Sequence, residues 1–295
     1  MATIIDTHQH LWDLDKFDLP WTEGATPLDK TYSSADYLDA TADLGVDKAI
    51  YMEVDVQDGQ REAEAEFIMD LCQRDDNPTC GAVISGRPIE DGFRRYVDSF
   101  KDSEYIKGIR QVLHPDSTPR RFCLEEKFVA NVRYLGEVGL RFDLCMRAGE
   151  LGDAVTLADA CPGTRFVVDH CGNADPNVIN GSQPGDMGEA GHNKDQWMRD
   201  IAALGERANV VCKISGIVAR ARPQWSAGDL APTVNHCLDS FGPERVLFGG
   251  DWPVCTLAAS FRDWVEALRS IVAQRPAVER EQLWHRNAVR FYELG

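Results

Sequence analysis

Short apolar runs recur along the chain, each followed by a stretch with helical spacing. The strand candidates are Thr3–His8, Lys48–Val54, Cys80–Ser85, Ile106–Leu113, Arg141–Met146, Arg165–His170, Asn209–Ser215 and Arg245–Gly250. Most are nearly continuous in Val, Ile, Leu and Phe, as strands covered on both faces read. Amphipathic segments fill the gaps: Ser34–Leu44, Arg61–Arg74, Glu90–Lys101, Glu125–Val138, Leu151–Ala160, Asp195–Arg207 and Asp229–Phe241, with Arg262–Ala273 and Arg280–Tyr292 after the last strand. Ser33 or Ser34 stands where an N-cap belongs, and Gly45 and Gly139 where C-caps belong. Eight strands alternating with helices predict an α/β fold, a parallel (β/α)8 barrel. A doubly wound open sheet is the alternative, but no G-x-G-x-x-G follows any strand. No repeat, low-complexity tract or linker interrupts the pattern, so residues 1–295 read as one domain.

In such a barrel the segments that follow the strands build the active-site face. Three of them are long: Leu11–Tyr32, with Trp12 and Trp21; Gly172–Lys194, rich in Gly, Asn and Asp; and Ile217–Pro232, with Arg220, Arg222 and Trp225. Loops of this length are expected to be lids or binding loops.

Composition narrows the partners. The net charge of −17 repels phosphate backbones and anionic lipid, so nucleic acid and membrane are excluded and an anionic substrate would need a local basic patch. A small-molecule substrate remains. A homo-oligomer is allowed, but one sequence shows no exposed faces from which to read it. The nine cysteines are odd in number, lack any Cys-x-x-Cys and sit partly inside apolar runs, which suits reduced thiols in a cytoplasmic enzyme. The N-terminus shows no signal-peptide pattern, and no apolar run is long enough for a transmembrane helix.

Three strand ends carry candidate chemistry. In Asp6-Thr-His8-Gln-His10, residues two apart on a strand share a face, so His8 and His10 point together and suit a divalent metal. His170 ends the sixth strand, while Asp169 before it is expected to face the helices. Asp251 ends the last strand above Gly249 and Gly250, as metal ligand, general base or helix N-cap. Further rim candidates are Arg110, as a carboxylate clamp or a salt bridge inside the barrel, and His114, as a substrate-orienting group. Lys213 is expected in the site or in a buried ion pair. Trp252 and Trp12 are candidate pocket walls. His192, His236 and His285 are given no role beyond structure.

These residues together resemble the amidohydrolase superfamily, and the finer spelling is similar to its branch of metal-dependent barrel hydrolases and lactonases. The matching phrases are Ile5-Asp-Thr-His-Gln-His-Leu-Trp12, Lys107-Gly-Ile-Arg-Gln111, Val168-Asp-His-Cys-Gly172, Cys212-Lys-Ile-Ser-Gly216, Phe248-Gly-Gly-Asp-Trp-Pro253 and Asn287-Ala-Val-Arg-Phe-Tyr292. The resemblance implies a lactone hydrolase with Asp251 as general base and His8, His10, His170 and Asp251 as ligands of one divalent metal, zinc by preference, although metal-free catalysis is known in this branch. His170 would also serve catalysis directly, and Arg110, His114, Lys213, Trp252 and Trp12 would contact substrate. The chain departs from the fuller superfamily pattern. It offers Arg110 on the fourth strand, and Phe142, Asp143 and Cys145 but no His on the fifth, so a second metal is not expected. A sugar-acid lactone such as fucono- or rhamnonolactone is the favoured substrate. A carboxylated lactone, of the pyrone-dicarboxylate or muconolactone type, is the first alternative. A decarboxylase of the same superfamily and a non-catalytic ligand-binding barrel are the others.

Overall fold

The computed structural model describes residues 3–182 and 191–295. Its eight strands are β1 (Ile4–Gln9), β2 (Val46–Met52), β3 (Thr79–Ser85), β4 (Ile106–Val112), β5 (Arg141–Cys145), β6 (Arg165–Val168), β7 (Val210–Ile214) and β8 (Val246–Phe248). They pair in parallel and in sequence order. The first and last strands join through Thr7 Oγ1, which donates to Phe248 O at 2.7 Å, and through the Asp251 and His10 amides, which donate to His8 O and Trp252 O, both at 2.8 Å. The expected (β/α)8 barrel is therefore observed.

Asp6 fastens this seam. Its carboxylate accepts from the Gly250 amide at 2.7 Å, the His8 amide at 3.0 Å and the Tyr37 hydroxyl at 2.8 Å. Tyr37 belongs to the helix Ser34–Thr41, whose N-cap is Ser33 in a capping box with Asp36. One buried acid thus holds the first strand, the last strand and the first outer helix.

Two apolar zones flank the sheet. The larger lies between strands and helices and includes Phe128, Phe142, Phe166, Trp197, Phe248 and Trp264. The smaller collects Ile5, Ile50, Met52, Val83, Val167, Val211 and Leu247 at the bottom of the barrel, against Ala288, Tyr292 and Leu294 from the C-terminal helical run. Each such side chain, fully buried, contributes about 1.5–3 kcal/mol. All nine cysteines are free thiols, and eight are buried. Among the described residues no helix is long and apolar enough to cross a membrane.

Candidate active site

The four strand-end residues meet. A register shift between Asp6 and Gln9 brings the His8 and His10 rings to one point, with centroids 4.9 Å apart. Their Nε2 atoms lie 3.8 and 3.5 Å from Asp251 Oδ1, and His170 Nε2 lies 3.9 Å from the same oxygen. His10 Nδ1–H donates to Met52 O at 2.9 Å. A carbonyl only accepts, so Nδ1 carries a proton and Nε2 is the nitrogen turned to the carboxylate. Burial holds His8 and His170 below the usual histidine range, so both rings are neutral at pH 7.

His170 and Asp251 reach this point through backbone that their residue types rarely adopt. Both have φ of 53°. Such a left-handed residue other than glycine costs on the order of 1 kcal/mol and marks a functional turn. The turn corrects one expectation. Asp169 faces into the barrel, not toward the helices, because β6 keeps its alternation through Val167 and Asp169. His170 is the residue that leaves the alternation, swinging inward to within hydrogen-bonding reach of Ser215 Oγ at 3.0 Å.

Beneath the imidazoles lies a layer of buried charge. Lys213 Nζ donates to Asp143 Oδ2 at 2.6 Å and sits 3.2 Å from Asp169 Oδ1. Asp169 Oδ1 in turn lies 3.5 Å from His8 Nδ1. Arg110 donates from Nε to Glu53 Oε1 at 2.6 Å and from Nη2 to Glu53 O at 2.7 Å. Its Nη1 lies 3.4 Å from His8 Nε2 and 3.5 Å from Asp169 Oδ2. Burial pushes Asp143 up to about 7 despite the ammonium beside it. Burial opposes the charge on Asp169 as well, but Lys213 and His8 hold its carboxyl well below the ordinary range. Glu53 and Asp169 carried the same sequence signal as Lys213, a charge inside an apolar strand.

A cavity of about 460 Å³ opens above this layer, within the range for small-molecule sites. His10, Arg110, His170 and Asp251 line it, as do Trp21, Leu28, Val54, Leu257, His114 and Arg220. The first and third long loops thus wall the cavity. The second contributes Asn173, and its residues 183–190 lie outside the described residues. Three expected substrate contacts are corrected. Trp12 is buried, with its indole N–H on Lys30 O, and Trp252 packs edge-on against Tyr32 and Tyr37. Lys213 is enclosed in its ion pairs. All three stand behind the cavity wall, because their polar or aromatic ends find partners inside the protein.

Three imidazoles and a carboxylate around one point form a donor set that hydrolases use. The amidohydrolase family model matches residues 5–294, so the chain belongs to that family. It is 28% identical to an L-fucono-1,5-lactonase of Burkholderia multivorans, over 99% of this chain and 97% of that protein. It is 24% identical to an L-rhamnono-gamma-lactonase of Scheffersomyces stipitis, over 99% and 98% of the two. A crystal structure of a Burkholderia multivorans amidohydrolase with bound zinc superposes with a TM-score of 0.85 at 25% identity, over the full length of both chains.

Proposed function

We propose that the chain hydrolyses the ring ester of a sugar-acid lactone, in the class of the fucono and rhamnono compounds for which its relatives are named. The observation that carries this reading is the convergence of three imidazole Nε2 atoms within 3.5–3.9 Å of Asp251 Oδ1 at a cavity floor.

The site fits one divalent cation. His8, His170 and Asp251 offer donor atoms within 4.8 Å of one another, and His10 Nε2 lies 3.5 Å from the same carboxylate. Facing acceptors are stable only with a positive ion or a donor between them, and this N/O set suits zinc. A bound zinc ion would polarise the ester carbonyl and make water more acidic. On the fifth strand, where a second metal would need a ligand, Asp143 is bound to Lys213.

The protein's own groups do the following. Asp251 takes a proton from the attacking water. Arg110, at the cavity floor, stabilises the charge that grows on the carbonyl oxygen, a contribution of about 3–4 kcal/mol. Asp251 then gives its proton to the leaving ring oxygen. The apolar wall excludes bulk water from the ring.

Asp251→Asn keeps the size of the side chain and removes the base. Its turnover of an aldonolactone, followed as acid release, is expected to fall about a hundredfold or more with the melting temperature held. Turnover close to that of the natural chain would exclude Asp251 as the base.

A further inference from the structure

A second cavity, of about 390 Å³, opens at the same end of the barrel, between the segments that follow β2 and β3. The guanidiniums of Arg61, Arg87 and Arg95 line it, with the carboxylates of Glu62 and Glu90. Short contacts tie these groups together. Arg61 Nη2 donates to both Glu90 oxygens, at 2.9 and 3.1 Å, and the Glu90 amide donates to Arg87 O at 2.9 Å. Glu90 O accepts from the Phe93 amide at 3.2 Å, where the helix Phe93–Phe100 begins. A Cβ built on Gly92 would stand 4.0 Å from Arg95 Nη2, so Arg95 folds back over the start of its own helix. Arg87 donates through Nη2 to Asp55 Oδ1 at 2.8 Å. Asp55 lines the catalytic cavity, so this ion pair stands between the two cavities.

Unspent donors here call for an anion. A guanidinium carries five N–H groups on three nitrogens. Among the described residues Arg61 spends only Nη2, although its side chain is just 16% exposed, and the Arg95 side chain has no acceptor at all. The helix Phe93–Phe100 has no side-chain cap and no acid in its first turn, where Arg94 and Arg95 stand. Asp91, just ahead of it, is drawn off to Lys127. Cations at a helix N-terminus oppose its dipole, and an anion bound there removes the conflict. We propose that this second cavity is a binding site for a phosphate group, with Arg61 and Arg95 as its ligands and Arg87 adding positive charge behind them. A tetrahedral dianion offers oxygens to several guanidiniums at once, whereas a carboxylate is satisfied by one. The volume admits a small phosphate ester as well as the free ion. In a chain of net charge −17, such a cluster supplies the local field that a phosphate needs. The proposal is independent of the ring-opening reading.

The test is calorimetric titration of the natural chain with glycerol 3-phosphate and with inorganic phosphate. One site per chain is expected. Tighter binding of glycerol 3-phosphate assigns the site to a phosphate ester, and equal binding assigns it to the free ion. Arg95 is exposed, so Arg95→Gln should keep the melting temperature while it weakens binding about tenfold or more. Arg220→Gln, which removes a guanidinium from the catalytic cavity instead, should leave the affinity as it is. No heat from either phosphate at millimolar concentration overturns the site. So does an affinity that falls in Arg220→Gln and holds in Arg95→Gln, since the anion is then seated in the catalytic cavity. Lactone turnover enters none of these measurements, so their failure leaves the ring-opening reading where it stands.

Discussion

The ammonium of Lys213 lies 2.6 Å from Asp143 Oδ2 in the middle of the barrel, and neither side chain touches solvent. Asp169 shares the same ammonium at 3.2 Å, so one cation serves two buried acids. Lys213→Met leaves both acids without it. The variant is expected to lose about 3–5 kcal/mol in urea unfolding, the usual result of removing one partner of a buried pair. Adding Asp143→Leu should restore part of that loss. A Lys213→Met midpoint equal to that of the natural chain would mean that the ammonium is not holding the barrel together.

Gly216 is tied to His170. It has φ of +69°, and a Cβ there would stand 2.3 Å from His170 Nδ1. Gly216→Ala is therefore both strained and in collision with the ring. It should displace His170, weaken the uptake of added divalent metal and reduce lactone turnover about tenfold or more. Metal analysis and acid release measure the two effects together. Unchanged metal uptake with full turnover would show that the ring does not need this space.

The acid Glu64 gives a pH signature outside the active site. Its Oε1 accepts from the Val54 amide at 2.7 Å and the Tyr51 hydroxyl at 2.9 Å. Burial first, and the nearby Glu53 charge second, raise its pKa from 4.5 to about 8. The folded chain thus holds a proton that the unfolded chain releases. Stability from this group is complete below about pH 4.5 and is lost as pH rises toward about 8. Glu64→Gln has no such proton. Its urea midpoint, relative to the natural chain, should rise steadily between pH 5 and pH 8. A constant difference across that window would place the Glu64 proton elsewhere.

The barrel was legible because seven helices and eight strands alternate in a pattern that only burial on both faces produces. The legible part of the site was the set of polar residues closing apolar strands: His8, His10, His170 and Asp251. Three things escaped the pattern. The ends of β6 and β8 fall short of the expected His170 and Gly250, because left-handed turns at His170 and Asp251 stop the ladder, and residue type does not announce such a turn at a non-glycine position. For the same reason strand alternation alone puts Asp169 on the wrong face. The partners of Arg110 and Lys213 were also hidden, since Glu53 is 57 residues from Arg110 and Asp143 is 70 from Lys213 along the chain. Trp12 and Trp252 read as pocket walls from their position near the rim, but an indole at a strand end can turn either way.

The carboxylate of Asp6 has a consequence for how this enzyme fails. The weld that closes the ring of strands and the reacting centre occupy the same small volume, since Asp6 grips the amides of His8 and Gly250, one a candidate ligand and the other the immediate neighbour of Asp251. Damage to that weld reaches the chemistry before it reaches the outer helices, so an inactivated molecule can still be a largely helical one.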